Sequence, residues 1–234
     1  DENVIREGSV SPNEDITILK TELILKDLDT LTKAQNSRLR QGFGGQAKLK
    51  TETINKLITI LNKGKLAIDA GLDDEEKEAA KELCLLTLKP YLVVHNVSEQ
   101  ELGEKLKNSK EMIICAQMEA DLAALSASEQ KEYLQSLELN ESGLERVIKL
   151  AYEKLGLISF LTTGEKETRA WTIIKGSKAP QAAGVIHTDF EKGFIKAEVV
   201  NYHDFITLGG WKQAREAGKA RMEGKEYLMK DGDI

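Results

Sequence analysis

Ala179-Pro-Gln-Ala-Ala-Gly-Val-Ile-His-Thr-Asp-Phe-Glu-Lys-Gly-Phe-Ile-Lys-Ala-Glu-Val-Val200 is the stretch whose order of parts decides the fold. Two small-residue turns bracket an Ile186-His-Thr-Asp-Phe190 run, and a strand pattern follows at once. Pro180 to Val185 reads as a helix. Around it lie four short strand candidates: Leu157 to Leu161, Ala170 to Ile174, Phe194 to Val199 and Glu226 to Met229. A second helix is expected over Trp211 to Ala217. The rhythm of short strands starts at Gly156, so a domain boundary is placed there.

Upstream the pattern is helical. Ile16, Leu19, Leu23, Ile24, Leu28 and Leu31 recur at helical spacing behind Pro12, read as a breaker, with Asn13 or Asp15 as cap. Ile54, Leu57, Ile58 and Leu61 form a second stripe that stops at Asn62-Lys-Gly64. Two such stripes predict an antiparallel hairpin or short coiled coil. The joint, Ser37 to Gln46, has three glycines within four residues, which disfavours a continuous helix. It is no phosphate loop, because no Gly-Lys-Ser/Thr ending follows it.

A helix opened by acidic residues is expected over Asp73 to Leu88, broken by Pro90. Tyr91-Leu-Val-Val-His95 and Met112-Ile-Ile-Cys115 read as buried strands, with a helix over Glu99 to Lys107 between them. That strand-helix-strand unit predicts a parallel pair. Ser126-x-x-Glu129 fits a capping box, and a last helix over Gly143 to Leu155 is stopped by Gly156.

The net charge of −6 is uneven: from Leu157 onward 12 Lys/Arg face 11 Asp/Glu, so the acidity lies upstream. An acidic first part argues against wrapping DNA, whereas a near-neutral second part can carry a local basic face. No apolar run reaches the length of a membrane span. Cys84 and Cys115 form no Cys-x-x-Cys pair and read as reduced thiols in a core.

The Ala179–Val200 segment closely resembles the TGS domain of the Obg-like ATPases, the YchF group of P-loop NTPases. Arg169-Ala-Trp-Thr-Ile-Ile-Lys-Gly176 and Asp231-Gly-Asp-Ile234 match the same group. The resemblance implies an α/β chain: part of a P-loop NTPase parallel sheet with an inserted helical hairpin, followed by a β-grasp (TGS) domain. The expected division is 1–15 and 83–156 for the nucleotide-binding part and 16–82 for the hairpin, with the atypical Gly-rich joint at 37–46. The TGS domain is expected over 157–234, with its last strand missing.

Asn96-Val-Ser-Glu99 stands just past the first buried strand. Ligands of open parallel sheets bind at that end. The position matches the GTPase base-recognition element Asn-Lys-x-Asp, whose aspartate pairs with two donors on guanine. Here Glu99 is one methylene longer and Val97 replaces lysine, which weakens guanine selectivity. The resemblance therefore implies ATP over GTP, with Asn96, Val97 and Glu99 reading the base. Cys115, Ala116 and Gln117 take the place of the last base-contacting loop. ATP and magnesium are the implied cofactors. The printed sequence has neither a Gly-Lys-Ser/Thr phosphate loop nor an Asp-x-x-Gly after a strand. It is expected to be an N-terminally truncated member that does not hydrolyse ATP by itself.

The resemblance also implies ribosome or RNA contact in the cytoplasm, and neither a membrane nor DNA as partner. Lys178, His187, Lys192, Phe194 and Lys196 are the residues expected to form that surface, through stacking and phosphate contact. A catalytic role for His187, Thr188 and Asp189 is set aside, because no nucleophile and base are paired there. Asp189 or Thr188 is expected to cap local backbone. His203 has no metal-ligand spacing to another His or Cys. The rival function is a non-catalytic RNA- or ribosome-binding adaptor acting through the TGS domain.

Overall fold

The computed structural model describes residues 11–38, 45–108, 111–164 and 166–234, and divides the chain into two compact units, Asp1–Gly143 and Leu144–Ile234. Among the described residues no helix is long and apolar enough to cross a membrane.

The first unit opens with α1 (Pro12–Arg38) and α2 (Gly45–Asn62). Pro12 does not break the chain. It is the first residue of α1, where its missing N–H is one the helix would leave unpaired anyway. α1 buries Ile24, Leu31 and Asp27 but leaves Leu19 and Leu23 exposed, so the stripe is narrower than its apolar residues suggest. Against it pack Ile54, Leu57 and Leu61 of α2. Gln35 donates to Asn55 at 2.8 Å, while Ile24 and Leu28 share a groove with Leu61 near the far end of α2, so the helices run antiparallel. Positions 39–44 of the Gly-rich joint lie outside the described residues; its last glycine, Gly45, is already in α2. The helix stops at Asn62, and Gly64 takes φ +72°, as a C-terminal glycine does.

A 3-10 turn (Ala67–Ala70) leads to α3 (Asp74–Lys81). Asp73 and Glu76 cap it reciprocally: the Glu76 N–H donates to Asp73 and the Asp73 N–H to Glu76. The helix expected to reach Leu88 ends at Lys81. Cys84 turns the chain with φ +48°, and the Leu86 and Thr87 N–H groups bond to the buried carboxylate of Asp27 instead of to a helix. Cys84 is exposed rather than in a core.

β1 (Val94–Asn96), α4 (Glu99–Asn108) and β2 (Met112–Ile114) then form the predicted strand-helix-strand unit. The strands pair in parallel, Val94 opposite Met112 and Asn96 opposite Ile114. The strand expected over Tyr91 to His95 is shorter and shifted: Tyr91 and Leu92 are exposed, and pairing starts only at Val94. α5 (Ala116–Ala123) and α6 (Ala127–Ser136) complete the layer. Val97, Leu102, Ile113, Cys115, Met118 and Leu122 form its core. The Ser126 N–H donates to Glu129 at the start of α6, as the capping pattern predicts.

Helix α7 (Gly143–Leu155) ends before Gly156, whose φ is +62°. In the second unit β3 (Leu157–Thr163) and β4 (Thr168–Ile174) make an antiparallel hairpin, with Phe160 opposite Trp171. α8 (Ala179–Ile186) and α9 (Thr188–Lys192) follow. Then come β5 (Ala197–Val199), α10 (Tyr202–Leu208), α11 (Trp211–Glu216) and β6 (Arg221–Glu223). Ile158, Phe160, Ile173 and Ala182 form the core. Two strand expectations are corrected. Phe194 precedes β5 rather than beginning it. Glu226 to Met229 is not a regular strand; Leu228 makes only a bridge to Lys178, and β5 pairs with Arg221–Glu223. Helix α10 was not expected, although Asn201 caps it and Gly209 ends it at φ +88°. The last residues pair on both sides: Leu161 N–H donates to Asp233 O at 2.8 Å, and Val200 and Ile234 exchange bonds of 3.1 and 2.8 Å.

Candidate functional site

The carboxyl ends of β1 and β2 lie side by side because the two strands are parallel and in register. Each strand ends one residue before a turn into a helix or its cap. Asn96 closes β1, and its exposed side chain reaches across: Oδ1 accepts the Ala116 N–H at 3.0 Å. Ala116 is the first residue of α5, where backbone N–H groups have no helical partner. Val97 N–H donates to Ile114 O at 2.9 Å and extends the tie by one residue. The two loops that the sequence placed 20 positions apart are therefore joined through Asn96.

The side chains of Val97 and Cys115 point elsewhere. Both are buried in the apolar cluster, so these residues offer a ligand their backbone rather than their side chains. Gln117 is exposed and donates to Asp121 at 3.1 Å. Glu99, the first residue of α4, is also exposed. Its Oε1 accepts the hydroxyl of Tyr133, from α6, at 2.9 Å. Glu99 and then burial push the Tyr133 phenol above its usual pKa, so it stays a donor. Sequence reading missed Tyr133, because nothing local links a helix-face tyrosine to a carboxylate 34 residues away. Ser98 donates its N–H and hydroxyl to Glu101, which tightens the turn into α4.

An exposed amide, the backbone at a helix start and a carboxylate can read the edge of a flat, polar heterocycle. The Asn96 NH2 has no partner among the described residues, so a donor stands ready at the strand ends. Magnesium is a different matter. No group of three or more His, Cys, Asp or Glu among the described residues could hold a metal. The Ser/Thr of a Gly-Lys-Ser/Thr loop and the Asp-x-x-Gly aspartate that hold magnesium in P-loop NTPases are not among the residues of this sequence.

The second set of expected site residues lies in the second unit. Lys178 precedes α8 and pairs with Glu226. His187 is the cap of α9: its Nδ1 accepts the Asp189 N–H at 3.2 Å, so histidine does the capping expected of Asp189 or Thr188. The ring of His187 lies 5.8 Å from that of Phe190. Phe190 is exposed, Phe194 half-buried, and Lys192 and Lys196 are exposed. Ile195, at 78% exposure, stands between the last two.

Comparison with known proteins shows the family. The family model YchF-GTPase_C, described as a protein of unknown function (DUF933), matches residues 157–234. The chain is 40% identical to the ribosome-binding ATPase YchF of Bacillus subtilis, covering 100% of this chain and 69% of that protein. This chain belongs to the YchF family. The YchF relative of Escherichia coli O157:H7, also named a ribosome-binding ATPase, is 43% identical over 100% of this chain and 68% of its own length. The solved YchF GTPase of Schizosaccharomyces pombe superposes with a TM-score of 0.86 at 32% identity, over 100% of this chain and 68% of that one.

Proposed function

We propose that this chain supplies the base-reading part and the ribosome- or RNA-facing part of a YchF-type ATPase. The hydrogen bond from Ala116 N–H to Asn96 Oδ1 carries the reading, because it joins two loops of base-recognition type at the ligand end of a parallel pair. Asn96 and the backbone of Val97 and Ala116 hold adenine, and Glu99 in place of aspartate disfavours guanine. Adenine offers one donor and one acceptor, which an amide and backbone groups match. Phosphate and magnesium are held by groups that the printed sequence does not contain. ATP hydrolysis is therefore not expected of this polypeptide alone. The second unit is read as a β-grasp TGS module.

The test is a titration of the purified 234-residue chain with ATP and with GTP, followed by NMR at the Asn96 and Ala116 amides. ATP is expected to shift them at lower concentration than GTP, and Asn96→Ala to weaken ATP about tenfold. No shift with either nucleotide sinks the base-reading role. Phosphate release above a no-protein blank overturns the inactivity of the chain.

A second reading is favoured by one observation. Phe190 and Ile195 are exposed beside Lys192 and Lys196, a mixture suited to stacking and phosphate contact. In that reading the chain is a binding adaptor. Co-sedimentation with ribosomes that survives Asn96→Ala but is lost with Lys192→Glu/Lys196→Glu supports it.

A further inference from the structure

Resting on the base-reading role just proposed, we infer that Tyr133 is a positioning residue that sets nucleotide selectivity by holding the Glu99 carboxylate at α6. Guanine is read by a carboxylate that takes two N–H donors with both oxygens. In this chain one of those oxygens, Oε1 of Glu99, is already committed to the Tyr133 hydroxyl at 2.9 Å. A guanine could use both oxygens only by sharing Oε1 with Tyr133 and meeting the carboxylate in the orientation that bond imposes. Adenine needs no carboxylate and loses nothing.

The hold is built into the fold. Tyr133 packs partly buried against the cluster that contains Val97 and Cys115, the two residues whose backbones flank the strand ends. Its ring is thus fixed to the same core that fixes the loops, and the hydroxyl has a defined place. Glu99 is the first residue of α4, so its backbone is fixed as well. Glutamate, one methylene longer than the aspartate of guanine-specific loops, has the extra reach such a contact uses. The raised phenol pKa keeps the donor protonated through the neutral range.

Removing the hydroxyl frees Glu99 to meet guanine. Tyr133→Phe is expected to tighten GTP about tenfold and to leave ATP within twofold, measured by titrating the 234-residue chain with each nucleotide. Tyr133→Phe/Glu99→Gln is expected to lose that gain, because an amide turns a donor NH2 towards guanine where the carboxylate had a second acceptor oxygen. Glu99→Asp, too short for Tyr133, is expected to shift selectivity towards GTP with the tyrosine intact. This variant carries the test if Tyr133→Phe does not fold. An unchanged GTP-to-ATP ratio in both Tyr133→Phe and Glu99→Asp, with ATP still bound and still sensitive to Asn96→Ala, overturns the role of Tyr133 and leaves the base-reading site standing. Loss of all nucleotide response in the unaltered chain overturns both.

Discussion

Asp27, buried on the inner face of α1, accepts both the hydroxyl and the backbone N–H of Thr87, at 2.6 and 2.7 Å. Its other oxygen takes the Leu86 N–H at 2.9 Å. Thr87 Oγ1 in turn accepts the Ala67 N–H at 3.2 Å. A loop with no regular structure is thereby stitched to the hairpin. Asp27→Ala strands three donors in a buried place and should cost about 3 kcal/mol. Asp27→Asn keeps one acceptor oxygen and should cost less. Urea denaturation measures both, and a midpoint unchanged in the alanine variant would contradict the role given to this carboxylate.

Gly143 has no room for a methyl group. A Cβ there would stand 2.8 Å from Glu119 Oε1 and 2.9 Å from Ile114 Cγ2. The Gly143 N–H already donates to Glu119 at 2.7 Å. Gly143→Ala should therefore destabilise by about 1–3 kcal/mol through overpacking. Because Ile114 ends β2, the Ala116 amide resonance should move as well. A variant with wild-type stability and an unmoved Ala116 signal would show that the neighbours yield freely.

Glu76 should make the first unit sensitive to acid. Its carboxyl is held below the usual range, first by the Lys56 ammonium at 2.7 Å and next by the Asp73 N–H. A carboxyl lowered on folding stabilises the fold above its unfolded pKa, and that stability is lost as pH falls through the lower, folded value. Glu76→Gln should flatten stability against pH in that acidic window and change little at neutral pH beyond the loss of one ion pair. Acid titration by circular dichroism checks it; parallel curves for the two proteins would rule it out.

Tyr227 should resist ionisation. Burial first, and the Asp233 carboxylate next, raise its phenol above the usual value, with O–H donating to Asp233 Oδ2 at 2.9 Å. A raised phenol leaves its stabilisation intact below the unfolded pKa and loses it as pH rises through the folded one. Tyr227→Phe should cost about 1–2 kcal/mol, because the carboxylate of Asp233, almost wholly buried, then loses the Tyr227 hydroxyl and is left with the Lys230 backbone N–H. Ultraviolet titration should show two late-ionising tyrosines, Tyr133 and Tyr227, and the variant should lose one of them.

Much of this molecule is legible in its residue order. The Ile54-Leu57-Leu61 stripe, the Ser126-x-x-Glu129 cap and the Met112–Ile114 strand follow from spacing alone, because each depends on contacts within a few residues. Tyr91 and Leu92 looked like strand and are not, because β1 can pair only where β2 offers a partner, and β2 is three residues long. The helix after Asp73 stops short because Asp27, nearly 60 residues away, competes for its backbone donors. Helix α10 carries purely local signals, since Asn201 and Gly209 mark both its ends.

By itself the sequence determined most of the helices, the parallel pair and the place of Asn96 and Glu99 at a strand end. These are set by side-chain period, capping chemistry and turn residues, all local. Only the tertiary structure decided which groups are spoken for. It turned Val97 and Cys115 into the core, tied Asn96 to Ala116 and gave the Glu99 carboxylate to Tyr133. Such pairings depend on packing that brings distant residues within hydrogen-bond reach, and no spacing rule along the chain encodes that distance.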